Sequence, residues 1–262
     1  MSEQPVSEQP VSDEPVSDEP VSDPTVSASG LCNLRDVGGI LLSGGGVVAP
    51  GVLYRGDAPM AGDEPPVLTP WPPSTVIDLR SVGERDQMLP ADPWPDGVRV
   101  FEVSLLAALD PLTLVRKDDP VPAPELLTRL FGHVLESCPQ EVVDIVGLIA
   151  TAPGPVLVHC SGGKDRTALI VALILDVLGA DTEALMADHL LSNGRIPVLE
   201  KRVERALGRP LAAPLSLVDE VSLRSALDTW RSHPGGAAGW LVEHGLPEEH
   251  IAALRERLVA AD

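Results

Sequence analysis

Cys160, Arg166 and the residues between them are the part of this 262-residue sequence best equipped for chemistry. Val156-Leu-Val-His-Cys160 reads as a buried strand, and Arg166-Thr167 opens an apolar helix that runs to Leu178. Ser161-Gly162-Gly163-Lys164-Asp165 must therefore turn tightly at a helix N-terminus. Unpaired backbone N–H groups and the positive end of the helix dipole converge there and attract an anion. Gly162 and Gly163 let the backbone close around a tetrahedral oxyanion with no Cβ in the way. A cysteine at the floor of such a nest has its thiolate stabilised, and the thiolate is a nucleophile. Six residues on, Arg166 can pair bidentately with two phosphoryl oxygens and stabilise charge in the transition state. Thr167 is expected to donate its hydroxyl to the sulfur, and His159 to orient the loop through ring hydrogen bonds rather than act as a base. The chemistry implied is transfer of a phosphoryl group to sulfur and then to water.

Competing readings of this run fare less well. A free cysteine alone is most often a buried structural thiol, but here it comes with the whole constellation. A nucleotide-binding loop of the Walker kind would need Gly where Val158 stands and Ser or Thr where Asp165 stands. Rhodanese-like sulfur transfer does not call for the Arg166-Thr167 ending.

The elements that must position the loop can be traced along the chain. Val52–Arg55, Thr75–Leu79 and Val98–Leu105 are short aliphatic or β-branched runs between Gly and Pro clusters and read as strands. Between Leu105 and Glu125, Pro111, Pro120, Pro122 and Pro124 with Asp110, Asp118 and Asp119 carry loop chemistry. Helices are expected over 125–137, 140–151, 166–178, 182–192, 196–207, 217–231 and 247–260. Asp181 caps the fourth, Asn193-Gly194 stops it, and Pro247 begins the last. Alternating strands and helices followed by a helical block define an α/β domain with additional C-terminal helices.

Composition narrows the partners. A net charge of −20, with 19 basic residues against 39 acidic ones, argues against nucleic acid as a partner. Residues 1–30 repeat a five-residue Ser-acid-x-Pro-Val unit and carry seven acids with no base, so they read as a disordered acidic tail. Taking those seven charges from −20 leaves −13 on residues 31–262, read as one catalytic domain. Cys32, Cys138 and Cys160 give an odd count without metal-site spacing, so neither a disulfide framework nor a metal is indicated. The start lacks a secretory signal and no apolar run is long enough to span a bilayer. The expected location is the cytoplasm, with signal-independent export left open.

His159-Cys-Ser-Gly-Gly-Lys-Asp-Arg-Thr167 resembles the Cys-x5-Arg phosphate-binding loop of protein tyrosine phosphatases. The Lys164-Asp165 pair is similar to that of the bacterial tyrosine and dual-specificity phosphatases of the mycobacterial protein tyrosine phosphatase B type. Asn33-Leu-Arg-Asp-Val37, Leu53-Tyr-Arg-Gly56, Val76-Ile-Asp-Leu-Arg80 with Glu84, Ala187-Asp188 and Ser192-Asn193 extend the likeness over residues 31–262. Ala168 stands where that family usually has Gly. The resemblance implies a cysteine-phosphatase-like α/β fold, with a central mostly parallel sheet flanked by helices and the helices of 196–231 as a lid. It implies a phosphocysteine mechanism without cofactor, acting on phosphotyrosine, phosphoserine, phosphothreonine or phosphoinositides. By that likeness Cys160 is the nucleophile, Ser161, Gly162, Gly163, Lys164, Arg166 and Thr167 bind the phosphate, and Lys164 adds charge for multiply charged substrates. The general acid is Asp165 or, alternatively, Asp110. Asn33, Arg35, Asp36, Asp78 and Arg80 are read as supports, not as catalytic groups. The other reading, a catalytically silent phosphate-binding module, would have no need of Cys160, Arg166 and an acid together.

Overall fold

Period-two alternation in three short strands sorts the core into two layers. The computed structural model describes residues 30–60, 62–87, 94–105, 123–211 and 215–260. The acidic repeats, Asp110, Asp118 and Asp119 lie outside the described residues. Strands β1 (Arg35–Asp36), β3 (Leu53–Gly56), β4 (Thr75–Asp78), β5 (Arg99–Glu102) and β6 (Val156–His159) form one sheet in the order β1-β3-β6-β4-β5. β6 lies at its centre, parallel to β3 and β4, and only the edge strand β1 is antiparallel. Leu53, Ile77, Val156 and Val158 point to the layer that the helices cover. Tyr54, Val76 and Leu157 point the other way, and Leu34, Leu68, Trp71, Trp94 and Val98 pack over them. The second face is thus closed by an irregular Pro- and Trp-containing strap.

The helices are α1 (Val82–Gln87), α2 (Ala123–Ser137), α3 (Pro139–Thr151), α4 (Arg166–Leu178), α5 (Thr182–Leu190), α6 (Ile196–Leu207), α7 (Glu220–Arg231), α8 (Gly236–Glu243) and α9 (Glu248–Leu258). α4 is apolar all round and nearly every side chain in it is buried, the pattern of a helix enclosed by others. Asp181 caps α5 by accepting from Ala184 N at 2.8 Å, and Asp219 caps α7 by accepting from Ser222 N at 2.9 Å. Among the described residues no helix is long and apolar enough to cross a membrane.

Several expectations need correction. α5 stops at Leu190 and the chain continues as a tighter 3-10 turn, Leu191–Arg195, in place of a stop at Asn193-Gly194. The last helix ends at Leu258, because Val259–Ala260 (β7) pairs antiparallel with Val47–Val48 (β2). That pairing joins residues some two hundred positions apart, which no local period can show. α8 was not among the expected helices. Gly239 is required there: a Cβ would stand 1.8 Å from Pro234 O, and the missing side chain lets that turn close while Trp240 buries. Of the helices expected as a lid, α6 reaches the loop, but α7 packs into the core. Its Trp230 is fully buried and donates to Asp176 of α4 at 2.7 Å.

Candidate active site

β6 delivers Cys160, 2% exposed, to the C-terminal edge of the sheet between the ends of β3 and β4. Gly56 and Asp78 both stand opposite His159 in register, so the loop after Cys160 emerges in the crevice between two neighbouring strand ends. The turn is sharp at Gly163, whose φ is +64°. A Cβ there would lie 2.3 Å from the carbonyl carbon and oxygen of Gly56 and 2.6 Å from Asp57 N, so only glycine fits. Three successive loop carbonyls are turned outward and held. Ala58 N donates to Ser161 O at 3.2 Å, Asn33 Nδ2 to Gly162 O at 2.9 Å, and Arg55 Nη2 to Gly163 O at 2.9 Å. The amides from Ser161 to Arg166 donate to no acceptor among the described residues. A row of free N–H groups at the start of α4, with carbonyls facing away, is an anion cradle.

Arg166 is the first residue of α4 and is 6% exposed. Nη1 donates to Leu79 O at 3.1 Å and to Glu84 Oε2 at 2.8 Å, and Nη2 donates to Glu84 Oε1 at 2.5 Å. These bonds consume both Nη1 hydrogens and one of Nη2, leaving Nε–H and the second Nη2–H side by side on one edge of the guanidinium. Burial disfavours the Arg166 charge, but the charges of Cys160, Glu84 and Asp165 overcome it and raise its pKa. Burial likewise pushes Glu84 up, yet its bonds from Arg166, Ser81 N and Ser161 Oγ bring it down to about 2. Glu84 holds its own helix too, because Ser81 and Glu84 form a reciprocal capping box, with Ser81 N to Glu84 Oε2 at 2.9 Å and Glu84 N to Ser81 Oγ at 3.2 Å.

The remaining expected residues fall as follows. Lys164 Nζ donates to Asp165 Oδ1 at 2.9 Å, so the two charged loop side chains face each other, with Asp165 the more exposed. His159 is buried, with Nδ1 3.4 Å from Cys160 O and 3.8 Å from Asp78 Oδ1. Burial lowers its pKa to about 4 against the pull of Asp78, so the ring is neutral at pH 7. Thr167 departs from expectation: its hydroxyl is fully buried and bonds neither the sulfur nor any other group among the described residues. Asp110 lies outside them. Asn33 and Arg35 stand behind the loop, whereas Asp36 holds Gly38 N and Gly51 N at 2.8 and 2.6 Å, and Asp78 pairs with Arg80 at 2.7 Å.

Two buried charge clusters escaped the sequence reading. Arg55 of β3 and Arg35 of β1 both bind the carboxylate of Asp188 at the end of α5. Arg202 of α6 donates through Nε to Asp57 at 2.8 Å and through both Nη atoms to Asp63 at 2.6 and 2.9 Å. Arg35 was expected as a support, but its companions Arg55 and Asp188 stood in the quoted motifs Leu-Tyr-Arg-Gly and Ala-Asp without a role. A charged residue inside an otherwise apolar strand was the available signal for Arg55. Arg202 gave none, since charged residues are common on helices. Glu84 was quoted with the Val76-to-Arg80 motif but given no role, although the Ser81-x-x-Glu84 capping signature directly after a strand fixes its place.

A cysteine at the end of the central parallel strand, an amide-lined turn and an arginine opening the next helix define a Cys-x5-Arg oxyanion-binding protein. The sequence model of the tyrosine phosphatase family matches residues 26–260, and the chain belongs to that family. It is 44% identical over 68 residues to the triple specificity protein phosphatase PtpB of Mycobacterium tuberculosis, covering 26% of this chain and 25% of that one. It is 27% identical over 194 residues to a tyrosine-protein phosphatase of Nostoc commune, covering 70% of this chain and 65% of the relative. The chain thus spans a quarter of the first relative and just under two thirds of the second.

Proposed function

We propose that residues 31–262 form a cysteine-dependent phosphatase that hydrolyses phosphate monoesters, phosphotyrosine foremost. Phosphoserine, phosphothreonine and phosphoinositides are further substrates of the same chemistry. One observation carries the reading: in the turn that follows Cys160 the amides of Ser161 to Arg166 donate to no acceptor among the described residues, while the carbonyls of Ser161, Gly162 and Gly163 are tied back. In this mechanism the thiolate attacks phosphorus as the bond to the leaving oxygen breaks, and Asp165 gives that oxygen its proton. Water then attacks the phosphocysteine, Asp165 takes a proton from it, and phosphate leaves as the thiolate re-forms. Gly162, Gly163 and Lys164 offer amides to the equatorial oxygens. The free Nε/Nη2 edge of Arg166 grips two of those oxygens, its other edge being committed to Glu84. Lys164 must release Asp165 for the acid step, and a substrate phosphate drawing Lys164 toward itself supplies the reason. Neutral His159 orients the strand end.

All three cysteines are unpaired, which fits a reducing compartment such as the cytoplasm. The test is hydrolysis of p-nitrophenyl phosphate by the full chain, with Cys160→Ser as the comparison. Activity lost in the variant while inorganic phosphate still binds supports the mechanism, whereas equal turnover in both proteins removes Cys160 as the nucleophile.

A further inference from the structure

We propose that Arg55 is a positioning residue of this site, setting from behind the loop the direction of one of the amides that receive the phosphoryl group. The inference rests on the phosphatase reading above. In a trans peptide the carbonyl oxygen and the next residue's N–H point to opposite sides of one rigid plane. Tying back a loop carbonyl therefore aims the following amide into the cradle. Ala58 N on Ser161 O aims the Gly162 amide, Asn33 Nδ2 on Gly162 O aims the Gly163 amide, and Arg55 Nη2 on Gly163 O aims the Lys164 amide. Of these three donors Arg55 is the charged one.

Its placement is costly unless it has a use. Arg55 is fully buried within β3, and its direct cross-strand partner is another cation, Arg35. Like charges in that relation repel, and a buried charge needs full pairing. Asp188 binds both guanidiniums, so two cations share one carboxylate and a surplus positive charge stays beside the Gly163 carbonyl. A charge-assisted bond to that carbonyl polarises the peptide and strengthens the Lys164 N–H as a donor on its far side. Arg55 has no exposure through which to touch a substrate, so it acts through the peptide alone.

The experiment compares wild type, Arg55→Met and Arg55→Lys for inhibition by orthovanadate, p-nitrophenyl phosphate kinetics, and alkylation of Cys160 by neutral iodoacetamide. Orthovanadate needs the aimed amides, whereas iodoacetamide needs only an accessible thiolate. Arg55→Met is expected to weaken vanadate by about 10- to 100-fold, with alkylation within about threefold of wild type. Arg55→Lys, a point charge that cannot hold Asp188 and Gly163 O together, should lie between. A folded variant with wild-type vanadate affinity overturns the role, and so does a parallel loss of vanadate binding and alkylation, which would mean general collapse. In wild type the Lys164 amide resonance should shift on saturation with vanadate, and an unmoved resonance also overturns it, whether or not the variants fold. Wild-type protein that neither hydrolyses p-nitrophenyl phosphate nor binds vanadate would instead remove the phosphatase reading itself.

Discussion

A guanidinium that is to grip a phosphoryl group must be aimed before the substrate arrives, and Glu84 is the group that aims Arg166. Both carboxylate oxygens are used, one also taking the Ser161 hydroxyl at 2.8 Å, so arginine and loop are fixed by one side chain. Glu84→Gln keeps the shape but loses the charge, and kcat on p-nitrophenyl phosphate should fall by about 10- to 100-fold with the fold retained. The same residue predicts a pH dependence of stability. Its folded pKa of about 2 lies below its ordinary 4.5. The stabilisation is therefore complete above pH 4.5 and is lost as pH falls toward 2. Urea denaturation across that window should show a loss that Glu84→Gln flattens. Asp165 and Asp110 separate as acids by leaving group. Asp165→Asn should lower kcat by about 10²-fold or more on esters of poorly leaving alcohols and by less on p-nitrophenyl phosphate, while Asp110→Asn leaves both unchanged. The reverse pattern would move the acid role to Asp110.

The loop works as an element only because β3 presses against it. Gly163→Ala combines a left-handed backbone with a Cβ 2.3 Å from the Gly56 carbonyl, so neither strand nor loop can yield locally. A loss of about 2 kcal/mol or more in urea unfolding is expected, with activity abolished. Gly162→Ala is the control: its Cβ would meet Leu199 Cδ2 at 3.0 Å, the tip of a flexible side chain, and should cost much less. α6 is anchored to the segment after β3 through Arg202, which also donates to Ala58 O at 3.2 Å, the residue whose amide holds Ser161 O. Burial pushes the Asp57 carboxyl up against the pull of Arg202, so removing the guanidinium takes away the ion-pair partner of a buried carboxylate. Arg202→Met should lower stability by about 3–5 kcal/mol in denaturant titrations, far beyond what an exposed arginine on a helix would cost.

For the whole molecule, a net charge of −20 opposes the approach of any phosphate ester, while the site itself gathers Arg55, Lys164 and Arg166. Residues 1–25 carry all seven acids of the repeats and precede the family match. Deleting them should leave the melting temperature unchanged and raise kcat/KM for an anionic phosphopeptide at low salt. The two proteins should converge above about 0.15 M salt, where the Debye length is about 8 Å. Identical values at every salt concentration would show that the tail's charge is not felt at the site.

Residues contiguous in the chain declared themselves: a buried strand, a turn containing Gly162 and Gly163, a cysteine and an arginine six apart, and the apolar helix that follows. Their spacing is local geometry, and the strand and helix periods report it directly. The groups that make the turn a cradle come from elsewhere, Asn33 from the segment before β1, Arg55 from β3, Glu84 from α1, Asp188 from α5 and Arg202 from α6. Nothing in a linear pattern says which carbonyl a distant guanidinium will hold, because that depends on strand order and register. β7 against β2 and the buried pairing of Arg35 and Arg55 on Asp188 belong to the same category. The sequence by itself determined which atoms could react, and the packing of the sheet decided which way the amides around them point.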